Sequence, residues 1–239
     1  MPLPQISTPT YELVIPSSKK KIKYRPFLVK EEKILILAME GEDPKAIANA
    51  VKDVIESCIL SKGIRVEKLS TFDIEFIFLN IRGKSVGEDI EIMVTCPDDE
   101  KTQVPTVIHL DEIKVHIDKE HSQDIKLDDT YTMRMKYPSL NEFVKTNLSS
   151  GGDLAIDDTF DLIASCVDQV YSEEESWAGS DCTKKELSDF VGSLNSKQFK
   201  DVEKFFDTMP KLSHKVKVKN PNTDVESEIV LEGLQSFFG

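Results

Sequence analysis

Tyr11, Leu13 and Ile15 alternate with Glu12 and Val14, and after Pro16-Ser17-Ser18 the same period returns at Ile22 and Tyr24, with Phe27 three residues further on as a candidate extension. A period of two puts one set of side chains on one face of a strand, and Pro-Ser-Ser supplies turn chemistry. Residues 11–28 therefore predict a β-hairpin, with Pro26 at the strand end, where a missing N–H is tolerated. The period then changes. Residues 30–40 open with Glu31 and Glu32, suited to a helix N-terminus, carry Ile34, Leu35 and Ala38 on one face, and stop at Gly41. Asp43-Pro44 reads as an N-cap followed by proline at the first helical position. Ile47, Ala50, Val51, Val54, Ile55 and Cys58 then recur at three- and four-residue spacing, the mark of an amphipathic helix.

Residues 70–82 carry Ile74, Ile77, Phe78 and Ile81. Their β-branched and aromatic content also suits a strand. The complete stripe, with Asp73 in its first turn, favours a helix, broken by Lys84-Ser85-Val86-Gly87. Alternation returns at Ile90, Ile92 and Val94, turns at Pro97-Asp98-Asp99-Glu100, and resumes over Val107–Leu110, at Ile113, Val115 and Ile117, and at Tyr131, Met133 and Met135. Ser139 caps a short helix to about Asn147 by the same cap rule. Residues 157–170 predict a helix with Phe160, Ile163, Val167 and Val170 as its stripe, followed by a loop from Ser172 to Asp181. Two more helices follow, one bearing Leu187, Phe190, Val191 and Leu194, the other capped by Asn195 and bearing Phe199, Val202 and Phe206. Val216 and Val218, then Ile229 and Val230, predict a second hairpin before an apolar tail from Leu231 to Phe238.

The fold class is α+β: an N-terminal β-hairpin with helices, central antiparallel strands, and C-terminal helices ending in a second hairpin. Ser149-Ser150-Gly151-Gly152 reads as a linker and divides the chain into parts 1–150 and 151–239. One internal echo stands out. Ile92–Ile113 and Val216–Leu234 each run as an alternating strand, an X-Pro turn (Cys96-Pro97, Asn220-Pro221), a returning strand and a Leu-acid-x-apolar ending. Zinc hairpins place a Cys-x-x-Cys pair in such a turn. Neither turn has one, so both read as plain turns.

Composition narrows the functional classes. Against 30 basic residues stand 43 acidic ones, a formal charge of −13, and such a surface repels a phosphate backbone, so no nucleic-acid partner is expected. Lys19-Lys20-Lys21 is the clearest basic patch and suits either a solvated turn or an acidic partner surface. The longest apolar run, Ile34–Met39, is far below the roughly 18 residues of a membrane span. Met1-Pro2-Leu3-Pro4 lacks a basic-then-apolar signal, so the chain is expected to stay where it is made. Cys58, Cys96, Cys166 and Cys182 are far apart in sequence, which suits free thiols in a reducing cytosol.

No catalytic motif is legible. Serine-hydrolase elbows, phosphate-binding glycine loops and histidine-carboxylate metal motifs are all missing, and His109, His116, His121 and His214 are scattered. Acid pairs such as Asp128-Asp129 and Asp157-Asp158 suit solvated faces and helix starts better than a hydrolase cleft. No cofactor, metal or small-molecule substrate is expected. Adjacent aromatics say more. Phe205-Phe206 and Phe237-Phe238 point in different directions, and a small domain does not easily bury both members of each pair. Leu234, Phe237 and Phe238, with the single tryptophan Trp177, are candidate partner-binding residues alongside Lys19, Lys20 and Lys21.

Ile15–Lys33, Ile47–Cys58, Phe72–Leu79 with Ile81–Glu88, and Leu231–Leu234 through Phe238 resemble the baseplate hub subunit family of T-even-type contractile-tailed bacteriophages. The resemblance is strongest over residues 11–96. It implies a non-enzymatic structural subunit of the tail baseplate hub, assembled in the host cytoplasm and carried in the virion, with other hub or tail proteins as partners. The nearest rival is a transient hub-assembly chaperone absent from the finished particle, and a more distant one is a tail-associated cell-wall hydrolase. The resemblance supplies no catalytic residue.

Overall fold

β1 (Tyr11–Val14) and β2 (Lys21–Tyr24) pair antiparallel in a computed structural model that describes residues 6–41, 43–139 and 156–233. Leu13 lies opposite Ile22 and both are buried, as the alternation predicts. Helices α1 (Val29–Glu40) and α2 (Pro44–Cys58) follow and pack together. Asp43 caps α2 by accepting from the Lys45 N–H, and Ala50, Val51, Val54, Ile55 and Cys58 form its buried stripe. The ambiguous segment is helix α3 (Thr71–Val86). Phe72, Ile74, Ile77, Phe78, Leu79 and Ile81 are all buried, so much of the helix is enclosed on more than one side. Buried Asp73 accepts from the Ser17 N–H at 3.0 Å and from the Ser17 hydroxyl. The predicted break at Lys84 comes later. Lys84, Ser85 and Val86 remain helical, and Gly87 alone takes the left-handed φ of 125° that ends the element.

β3 (Asp89–Thr95) and β4 (Gln103–His109) form the second hairpin. β5 (Lys114–His116) joins a three-stranded sheet in the order β11-β10-β5 with β10 (Lys211–Lys219) and β11 (Glu226–Glu232). The two echoing hairpins share one core, in which Ile90, Ile92, Val94 and Ile108 pack with Leu212, Val216 and Val218. Their tips are joined as well. Asn220 donates to both Asp98 carboxylate oxygens at 3.1 and 3.0 Å, Thr223 donates to Asp98, and Asn222 donates to the Thr102 hydroxyl at 3.0 Å. The repeat is wider than the sequence suggested, because the β1–β2 turn has the same build. In Ile15-Pro16-Ser17-Ser18-Lys19, Cys96-Pro97-Asp98-Asp99-Glu100 and Asn220-Pro221-Asn222-Thr223-Asp224 the fifth residue is left-handed, with φ 56°, 54° and 64°. In each its N–H donates to the carbonyl of the first residue.

A four-stranded antiparallel sheet runs β6-β7-β8-β9: Asp124–Lys126, Thr132–Met135, Val167–Tyr171 and Ser176–Ala178. Helices α4 (Ile156–Ser165), α5 (Lys184–Gly192) and α6 (Ser196–Thr208) complete this part. Here the sequence reading needs correction. The predicted helix 157–170 ends at Ser165, and Val167 and Val170 belong to β8. Val167 pairs with Met135 and Val170 with Met133, with a register shift between Arg134 and Met135. The extra residue on β8 is a β-bulge, which puts two side chains three apart on one face and imitates a helical stripe. The predicted loop 172–181 likewise contains β9. Phe205 and Phe206 are also placed better than expected. Phe205 is buried, and Phe206 is half-buried against the same core, edge-on at 5.0 Å. The predicted helix after Ser139 and the linker at 149–152 lie outside the described residues.

The chain groups into two compact units. A terminal unit holds the described residues up to Val66, Phe72–His116 and those from Lys211 on, and a middle unit holds Glu67–Thr71 and Ile117–Pro210. The C-terminal hairpin thus belongs with the N-terminal elements, a grouping different from a cut at residue 150.

Candidate interaction surfaces

Helix α1 is anchored at its start and reaches the interior again at Leu35. Glu31 is buried and accepts from the Leu28 N–H at 2.7 Å and from Arg25 Nη2 at 3.0 Å, with Lys30 Nζ at 3.4 Å. Burial pushes this carboxyl up, but the Arg25 and Leu28 hydrogen bonds and the nearby cations outweigh it and hold it below the usual carboxylate range. Arg25 also donates to the Pro26 carbonyl at 2.8 Å, and its backbone N–H donates to the Cys58 carbonyl at 3.0 Å. The start of α1 is therefore fixed to the end of α2.

Beyond that anchor little of α1 is covered. Only Glu31 and Leu35 are buried along the helix. Val29, Ile34, Ile36, Leu37 and Met39 expose between 40 and 80% of their surface. Ile34, placed on one face with Leu35 and Ala38 by the sequence, is 45% exposed while Leu35 is buried. At 100° per residue the exposed apolar positions spread around most of the helix. The charged residues Lys30, Glu31, Glu32, Lys33 and Glu40 gather at its two ends, and the apolar middle between them is the kind of exposed patch that interaction surfaces carry. The sequence did contain a signal. The unbroken run from Ile34 to Met39 fills more than one turn of helix, and that stretch has no polar side to give to water.

The sequence-predicted residues fall elsewhere. Lys19 and Lys20 are exposed in the β1–β2 turn, and Lys21, at the start of β2, is ion-paired with Glu12. Trp177 stands in the edge strand β9 of the middle unit, 43% exposed, its ring 6.1 Å from that of Tyr131. Leu234, Phe237 and Phe238 lie outside the described residues. The basic turn and the tryptophan belong to different units.

The middle unit also has an apolar groove of about 510 Å3 beside Trp177. Tyr131, Val170, Leu187, Phe190 and Leu194 share its lining. No sequence pattern joined these residues, because the strand carrying Val170 was read as helix.

His121 and Cys58 are both shaped by burial. His121 bonds the Thr208 hydroxyl and the Tyr137 hydroxyl, each at 3.0 Å, stacks on Tyr137 and lies tilted against Phe205. Burial lowers its pKa and keeps the ring neutral near pH 7. The Cys58 thiol is pushed up to about 11 by burial, so it is not a nucleophile at neutral pH. Among the described residues no three His, Cys, Asp or Glu side chains converge as a metal ion requires, and no helix is long and apolar enough to cross a membrane.

Curated protein sequences and solved structures give no match. One family model, described as T4 bacteriophage base plate protein, matches residues 8–239. With that match running through both units and every element described above, the chain belongs to the T4 bacteriophage base plate protein family.

Proposed function

We propose that the chain is a structural subunit of the tail baseplate hub, which holds other hub proteins and performs no catalysis. The observation that carries this reading is α1, a helix with only two buried residues whose middle, Ile34–Met39, turns exposed apolar side chains to more than one side. Covering one such half-exposed side chain is worth on the order of 1 kcal/mol, so a partner that seats the helix gains substantially. Lys19, Lys20 and Lys21 and the segment with Leu234, Phe237 and Phe238 are further docking elements in this reading. The subunit assembles in the host cytoplasm and remains in the virion tail.

The test compares the parent chain with an Ile36→Lys, Leu37→Lys variant as bait in infected cells. Hub proteins identified by mass spectrometry are expected with the parent. Binding by the variant is expected to be weaker by about 2 kcal/mol, roughly thirtyfold, with an unchanged circular dichroism spectrum. Fixed stoichiometry in purified virions supports a permanent subunit. Capture of hub proteins without presence in virions would make the chain an assembly chaperone. No hub protein on the parent bait, or a clearing band on peptidoglycan zymography, overturns the reading.

A further inference from the structure

We propose that the groove beside Trp177 is a second docking site, and that it receives a basic amphipathic segment of a partner protein. The inference rests on the proposed docking role only for the occupant being a protein. Its residues lie wholly in the middle unit, apart from α1.

The floor and walls are apolar. Tyr131 and Trp177 stand on the strand side, 38 and 43% exposed, and Leu187, Phe190 and Leu194 come from α5 and the turn after it. A volume of about 510 Å3 falls within the range of about 300–1,000 Å3 in which proteins enclose bound organic groups. Exposed tryptophan and tyrosine at the edge of such a concavity are the residue types that dominate binding energy at interfaces.

The polar part of the lining selects the occupant. Its two charged residues are Asp128 and Glu186, and no lysine or arginine lines the groove among the described residues. Both carboxylates are fixed by the backbone. Asp128 accepts from the Thr130 and Tyr131 N–H groups at 2.7 Å each, and Glu186 accepts from the Thr183 N–H at 2.7 Å and its hydroxyl at 2.8 Å. These bonds keep both acids ionised at neutral pH. An apolar anchor entering the groove therefore passes two negative charges that cannot turn away. Lysine or arginine beside the anchor gains from them, and glutamate or aspartate is repelled. The same argument disfavours two other occupants, although a second copy does carry the basic turn Lys19-Lys20-Lys21. A second copy brings a surface of formal charge −13 to an acidic mouth, and the segment Leu234–Gly239 carries no basic residue.

Trp177 is the only tryptophan in the chain, so its emission reports on the groove alone. The probe is a sixteen-residue peptide (about four helical turns) with leucine and phenylalanine on one face and lysine on the other, titrated into the full chain at about 0.15 M salt to screen long-range attraction. A saturable blue shift is expected. The same peptide with glutamate in place of lysine is expected to bind at least tenfold more weakly. Asp128→Asn and Glu186→Gln each keep a side-chain oxygen for the backbone and remove only the charge. Together they are expected to reduce the preference for the lysine peptide at least tenfold. The Ile36→Lys, Leu37→Lys variant is expected to respond like the parent, so failure at α1 and failure at the groove are separable. An unchanged emission, an equal response to both peptides, or a lysine preference that survives the double variant overturns the proposal. So does a concentration-dependent shift without peptide accompanied by dimer formation, which assigns the groove to a second copy.

Discussion

Asp98 shows what a single side chain does in this protein. The Thr223 hydroxyl and the Asn220 amide donate to its carboxylate and hold it below the usual carboxylate range. A lowered native pKa gives stabilisation that is present above the unfolded value, about pH 4, and is lost as pH falls through the native value. The thermal midpoint is therefore expected to fall between about pH 5 and pH 3, and to fall less in an Asp98→Asn variant. Equal slopes in the two proteins would reject a role for this contact. The sequence shows no such partner, since Asp98 and Asn220 are 122 residues apart. Local contacts were legible because they act within one turn. Asn195 accepts from the Lys197 and Gln198 N–H groups, and Asp43 accepts from Lys45.

Among the elements, legibility followed the fidelity of the period. α2, α6 and the outer hairpins keep theirs and were readable. β8 does not, because its bulge spaces Val167 and Val170 like helix residues, and only the pairing with Met135 and Met133 reveals the strand. The groove was illegible for the same reason, since one of its walls belongs to that sheet. α1 was found as a helix, but its outer face was not foreseen, because periodicity reports which residues share a face and not what covers it. Close packing below the groove yields a further expectation. A Cβ on Gly179 would collide with the Val167 carbonyl oxygen, which is backbone and has no room to withdraw. Gly179→Ala is expected to cost about 1–3 kcal/mol, lowering the thermal midpoint by roughly 2–10 °C at this chain length. Gly192→Ala, where a Cβ meets nothing within 4 Å, serves as the control and is expected to be close to neutral. Equal midpoints for the two variants would reject the packing account.

For the molecule as a whole, the grouping into units matters more than the count of elements. The core of the middle unit comes from residues between Ile125 and Phe206, from Met133 and Met135 to Val202 and Phe205. A fragment of residues 117–210 is therefore expected to unfold cooperatively when followed by Trp177 emission, and a gradual, featureless transition would count against it. A chain ending at Pro210 lacks Leu212, Val216 and Val218, which complete the core around Ile90, Ile92 and Val94. It is expected to be cleaved by protease within residues 88–116 while the middle unit resists. The closing of the terminal unit by its last hairpin also imposes an order on synthesis. A ribosome delivers the chain from its N-terminus, so the middle unit emerges entire while the first unit still waits for β10 and β11. Until Glu232 has emerged, the inner faces of β3 and β4 have no opposite hairpin. A prematurely released polypeptide then carries a finished middle and an unfinished remainder, told apart from the complete chain by the bare apolar faces of β3 and β4.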